Sequence, residues 1–186
     1  DRGWLLGANS NLPDDISITW ARQVADDFHA RFGAIGRNYR YRILNRLQRS
    51  ALHRHRAWWV HQPLDAAQMH MAAQHLLGEH DFSSFRAAGC RANTPHRNIT
   101  QIKVSRENDW VTLTISANAF LQHMVRNIMG SLAAVGEGEK SPDWLAEVLA
   151  SRDRKRGGIA APPHGLNLMS VDYPEDCGIP GPLDTH

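Results

Sequence analysis

Cysteine is nearly absent from this 186-residue sequence: Cys90 and Cys177 are the only two, far apart, with no CxxC and no close Cys/His spacing. That excludes a disulfide framework and a zinc finger, and makes a reducing cytoplasm the simplest setting. No apolar run approaches the ~20 residues of a membrane span, because His123 and Arg126 cut the most apolar stretch, 117–135. A soluble chain is expected. The opening DRGWLLGANSNLP lacks the basic, then apolar, then small-residue order of a secretory signal. Its first residue is Asp1 rather than Met, which reads as a removed N-terminus or as a piece of something longer.

Metal and nucleophile signatures are missing too. The 11 histidines form neither HxxxH nor HExxH, and His70 and His75, five apart, fall on different sides of a helix. No GxSxG elbow is present, and Cys90 sits in a loop-like AAGCRANTP. No metal and no Ser or Cys nucleophile are expected. With 42% hydrophobic and 22% charged residues, the chain also lies far from the composition of disorder.

Acid is absent where base is dense. Between Phe28 and Leu64 there are eight arginines and no Asp or Glu, so a net charge of +2 hides +8 on this segment and −6 on the remainder. Lysine is scarce: Lys103, Lys140 and Lys155 stand against 18 arginines, a bias toward planar bidentate contact with phosphate or carboxylate. Tyr39, Tyr41, Trp58 and Trp59 are interleaved with these arginines. Rings beside cations suit unstacked bases and their phosphates, so RNA or single-stranded nucleic acid is the expected partner, with a solvated basic face as the alternative.

Periodicity marks the elements. ISITWARQV (16–24) and NYRYRILN (38–45) alternate as strands, the second placing Tyr39, Tyr41 and Ile43 on one face and Arg40, Arg42 and Leu44 on the other. Asp65 caps a helix with Met69, Ala72, Ala73, Leu76 and Leu77 as its apolar stripe and Gly78 as its stop. Residues 98–107 and 110–119 read as a hairpin, 120–135 and 142–151 as helices, and 165–174 as a last strand. The order β, β, α, β, β, α, α, β predicts an α+β fold, an antiparallel-dominated sheet with helices on one face. Arg126 is out of place in the apolar FLQHMVRNIMG, and needs either a carboxylate or phosphate partner or a route to the surface.

Four segments, DDFHARFGAIGRNYRYRI, LLGEHDFSSFRAAGC, TPHRNI and ANAFLQHMVRNIMGSLAAVG, occur in order, and with them the chain resembles the TruA family of tRNA pseudouridine synthases from about Leu5 to Pro174. The resemblance implies a pseudouridine synthase fold of two similar halves about a central basic cleft. It implies isomerisation of uridine to pseudouridine in the tRNA anticodon stem-loop, by homodimers, without cofactor or metal. Tyr39 matches the family tyrosine that stacks on the target uracil, and Arg126 the arginine that pairs with the catalytic aspartate. His29, Arg31, Arg37, Arg40 and Arg42 would line or flank the tRNA surface. Gly33 stands where a serine is more usual.

The family's aspartate lies in a Gly-Arg-Thr-Asp-Ala-Gly-Val-His run, which these 186 residues do not contain. The expectation is therefore one half plus connector: residues 1–37 a connector from the preceding half, 38–174 the C-terminal half, and 175–186 a flexible tail. No catalytic nucleophile is expected in the chain, whose Asp27 and Asp81 read as structural. It would be inactive alone, either as part of the enzyme or as a non-catalytic tRNA-binding fragment with an arginine-rich surface. An exposed sheet edge or apolar face should then make it self-associate.

Overall fold

The computed structural model describes residues 2–180. They divide into two compact units, one of residues up to Ala34 together with those from Asp172, the other Ile35–Val171.

The larger unit is a sheet with helices packed on one face. Its strands are β1 (Gly36–Asn45), β2 (Trp58–Val60), β3 (Gly78–Asp81), β4 (His96–Glu107), β5 (Trp110–Ala117) and β6 (Leu166–Asp172). The strand order is β2-β1-β5-β4-β3, with β6 also paired to β1. The hairpin expected at residues 98–119 is present, with β4 and β5 antiparallel. β1 lies antiparallel on β5 in the register Tyr39↔Ile115, Tyr41↔Leu113 and Ile43↔Val111, so alternate residues of both strands face one core. An irregularity between Ile99 and Gln101 turns both Ile99 and Ile102 inward, although they are an odd number of residues apart. β2 runs parallel to β1 over Ile43–Asn45. Because β5 occupies one edge of β1, β2 and β6 share the other.

The covering helices are α2 (Ala66–Gln74), α3 (Met124–Gly136) and α4 (Trp144–Ser151); α1 (Arg2–Asn9) belongs to the smaller unit. Asp65 caps α2 as expected, its carboxylate accepting from the N–H groups of Ala67 and Gln68 at 2.9 and 3.0 Å. The helix ends at Gln74, and Gly78 (φ +95°) opens β3 instead of stopping the helix directly. α3 begins at Met124 rather than at Phe120, because His123 takes a left-handed conformation (φ 62°). Tyr41, Ile43, Leu113 and Ile115 from the sheet share one buried cluster with Met69 and Leu76 of α2, Ile128 and Leu132 of α3, and Leu145 of α4.

Residues 16–24 form no strand. In the smaller unit the N–H and C=O of Ile18 are taken by the Asn9 amide, at 2.7 and 2.8 Å, and Ile16 and Trp20 are exposed. Elsewhere in that unit, the Tyr173 hydroxyl donates to the Ala30 carbonyl at 2.7 Å, beneath a ring contact between Phe28 and Tyr173 at 5.2 Å. The tail expected at 175–186 opens with a 3-10 turn at Glu175–Cys177, and residues 181–186 lie outside the described residues.

Candidate active site

Alternation along β1 sorts its side chains between the two faces of the sheet. Tyr39 lies on the helix-covered side with Tyr41 and Ile43. It is half-buried and edge-on to Phe120, the ring centroids 5.1 Å apart at 87°. Phe120 stands four residues before the start of α3.

Arg126 projects from the first turn of α3 and is half-buried. Its Nε donates to the Ala161 carbonyl at 2.7 Å, while the Ala161 N–H donates to the Arg126 carbonyl at 3.0 Å. The segment 157–162 can lie this close to α3 because two glycines face each other. A Cβ on Gly130 would stand 1.7 Å from the Ile159 carbonyl oxygen, and one on Gly158 2.9 Å from that of Gly130. Next along, the Pro162 carbonyl accepts the Tyr41 hydroxyl at 2.6 Å. Burial pushes the Tyr41 phenol far above its usual range, and the nearby Arg126 charge only partly opposes this. Arg126, Tyr41 and segment 161–162 thus form one linked group, with Tyr39 two residues from Tyr41 on the same face.

Among the described residues Arg126 has no carboxylate within ion-pair distance, in contrast to Arg46, which pairs with Asp109, and Arg152, which pairs with Asp81. With Nε occupied, the terminal nitrogens of its guanidinium are the part left to meet an acid. Asp81 has a local role: it accepts from the Ser83 N–H at 2.9 Å and pairs with Arg152 at 3.4 Å. Burial works against ionisation there, but Ser83 and Arg152 together hold its carboxyl below the usual range.

The basic residues singled out from sequence fall in three places. Arg37 shares the Tyr39 face and donates to the Asn118 carbonyl at 2.7 Å. Arg40 and Arg42 lie on the opposite face of the sheet, paired with Thr114 and Thr112. The Arg42 guanidinium stands 3.9 Å over the Trp110 ring, and desolvation, then the charge of Arg40, lowers its pKa. Arg40 keeps a buried Nε with no hydrogen-bond partner. His29 and Arg31 belong to the smaller unit, both exposed. There His29 Nδ1 accepts from the N–H groups of Arg31 and Phe32 at 3.1 and 3.2 Å.

Tyr41 and the segment GGIAAPP (157–163) were not marked by sequence reasoning as parts of a site. The available signals were the face Tyr41 shares with Tyr39 and the paired glycines, which allow backbone to approach backbone. Among the described residues, no group of three His, Cys, Asp or Glu side chains is placed to hold a metal ion.

The family described as tRNA pseudouridine synthase matches residues 72–174, from within α2 to just beyond β6. A tRNA pseudouridine synthase A from Coxiella burnetii (strain Dugway 5J108-111) is 52% identical over 180 residues, covering 97% of this chain and 69% of the relative. One from Methylococcus capsulatus is 52% identical over 179 residues, covering 96% and 66%. One from Aeromonas hydrophila is 53% identical over 184 residues, covering 97% and 68%. An identity this high, carried across the sheet, the Tyr39 face and the Arg126 helix, shows that the chain belongs to the tRNA pseudouridine synthase family.

Proposed function

We propose that this chain provides the base-holding and acid-orienting side of a pocket that isomerises uridine to pseudouridine in the anticodon stem-loop of tRNA. The reading is carried by one observation. Arg126, tied through Nε to the Ala161 carbonyl, has no carboxylate partner among the described residues and lies on the same side of the sheet as the Tyr39 ring.

In the reaction, the bond from N1 of uracil to C1′ of the ribose breaks and a bond from C5 to C1′ forms. The proton on C5 is released and N1 gains one, so atoms balance without a co-reactant. Tyr39 stacks on the extruded uracil, and its contact with Phe120 holds the ring on edge. Arg126 keeps the attacking aspartate ionised and aimed by a charge-assisted pair. That aspartate comes from a segment bearing the Gly-Arg-Thr-Asp-Ala-Gly-Val-His run, so the 186 residues alone bind tRNA without turning it over. Arg37 supplies charge on the Tyr39 face, Arg40 and Arg42 supply it on the opposite face of the sheet, and Arg31 and His29 are RNA contacts of the smaller unit in its own right. The assembly works as a cytoplasmic homodimer.

Release of tritium from tRNA labelled at C5 of uridine tests the reading. The chain alone should release none, the chain joined to a segment with the aspartate run should release it, and Tyr39→Leu should abolish release in the joined protein. Turnover by the isolated chain would overturn the assignment of the nucleophile. Full activity of the Tyr39→Leu protein would overturn the stacking role.

A further inference from the structure

The loop after β1, RLQRSALHRHRA (46–57), contains four arginines and no acid. It is folded tightly: the His53 N–H donates to Ser50 Oγ at 3.1 Å, and the N–H groups of Arg56 and Ala57 both reach the His53 carbonyl, at 2.9 and 3.1 Å. The His53 ring stands edge-on to Trp110, the centroids 5.0 Å apart. Between this loop, β2 and the segment around Pro162 lies a cavity of about 420 Å³. That size falls in the usual range for small-ligand sites.

Its lining is of two kinds. Leu44, Ala57 and Trp58 are apolar, whereas Arg49, Arg54, His53 and His164 bring cationic or donor groups, and no carboxylate takes part. Neither Arg49 nor Arg54 joins any of the ion pairs among the described residues. Two guanidiniums facing a common hollow without a counter-charge favour an anion there. Trp59 completes the lining: its indole N–H donates to the Arg46 carbonyl at 2.9 Å, which fixes the ring, yet the residue stays 41% exposed. An acidic peptide would satisfy the arginines but make little use of a fixed indole. A nucleotide uses both.

The cavity also adjoins the linked group described above. Pro162 lines it, and the Pro162 carbonyl holds the Tyr41 hydroxyl, one residue from the Ala161 carbonyl that holds Arg126. The geometry points to a second nucleotide subsite in this cavity. An unpaired nucleotide of the RNA lies there, its phosphate between Arg49 and Arg54 and its base against Trp59, while the target uridine occupies the Tyr39 face. This rests on the reading of tRNA as the substrate.

Two titrations of the 186-residue chain separate the outcomes. In the first, uridine 3′,5′-bisphosphate is followed by tryptophan fluorescence. Saturable quenching is expected, mostly lost in Trp59→Phe and weakened tenfold or more in the double variant Arg49→Gln/Arg54→Gln. In the second, tRNA affinity is measured against salt, and the double variant should flatten the logarithmic slope by about 0.7–0.9, the contribution of the one phosphate that is no longer neutralised. No saturable quenching in the unmodified chain, or quenching unchanged in the double variant, overturns the subsite even if tRNA binds normally. Quenching as expected without any tRNA binding keeps the subsite and removes the tRNA reading. Displacement of the bisphosphate by polyglutamate at equal charge concentration would identify an acidic-peptide site and overturn the assignment to RNA.

Discussion

Replacing Gly130 by alanine tests how Arg126 is held. Glycine inside a helix is ordinarily unfavourable, so on helix propensity alone Gly130→Ala should stabilise α3 by about 0.5–1 kcal/mol. The surroundings reverse the sign. The added methyl would lie 1.7 Å from the Ile159 carbonyl oxygen, half the 3.4 Å at which ordinary contact begins, and the obstacle is backbone that cannot rotate away. Segment 157–162 must retreat, and Ala161 goes with it. Two hydrogen bonds then break, Ala161 N–H to the Arg126 carbonyl at 3.0 Å and Arg126 Nε to the Ala161 carbonyl at 2.7 Å. A neutral hydrogen bond contributes about 1 kcal/mol and one to a charged group about 1.5–3 kcal/mol, so the net cost is about 2–3 kcal/mol. For a chain of this size that lowers Tm by roughly 4–12 °C. Gly136→Ala is the matched control in the same helix. There the methyl would meet Met69 Sδ at 2.7 Å and Cγ at 2.9 Å, atoms of an unbranched side chain that can change rotamer where backbone cannot, so the change should cost less than Gly130→Ala, about 1 kcal/mol. Urea unfolding followed by tryptophan fluorescence compares the two. Equal midpoints for the two variants, or a larger loss in Gly136→Ala, would refute the idea that the glycine contact holds the segment against α3.

Further outcomes rest on neighbouring interactions. Tyr41→Phe removes the hydroxyl from the Pro162 carbonyl and should cost about 1–2 kcal/mol near neutral pH. Since burial raises the Tyr41 phenol above its unfolded value, its contribution is whole below pH ~10 and falls as pH rises beyond that, so the variant's stability should decline less between pH 10 and 12 in urea titrations. Arg126→Lys supplies one point charge where a guanidinium bonds to Ala161 and still presents its terminal nitrogens. In the joined protein it should lower kcat about 10²-fold or more with little change in KM, by tritium release. Asp65→Ala should cost about 1 kcal/mol and Asp65→Asn a few tenths, read from denaturant midpoints.

Where the fold could be read from sequence, the residues carried their own periodicity against a real partner. NYRYRILN alternates because β5 stands beside it and helices cover one face, so Tyr39, Tyr41 and Ile43 could be assigned to one side in advance. ISITWARQV alternates as well, yet Asn9 takes the backbone groups of Ile18 and no strand forms. Alternation fits a pleated partner but does not supply one. β3 escaped notice because GEHD has no apolar alternation and is extended only through its pairing with β4, and β2 has just three residues. The site was legible to the same degree. Tyr39 stood out as a ring among cations and Arg126 as a charge in an apolar stripe. What fixes Arg126 lies 35 residues further along the chain, and no local pattern links the two.

That separation bears on synthesis. The ribosome completes α3 well before it reaches Ala161 and Pro162, so a nascent chain can have a formed helix whose guanidinium still swings freely. Orientation of the arginine is therefore among the last features acquired, and a polypeptide released too early would resemble the finished protein in helix content while lacking an aimed charge.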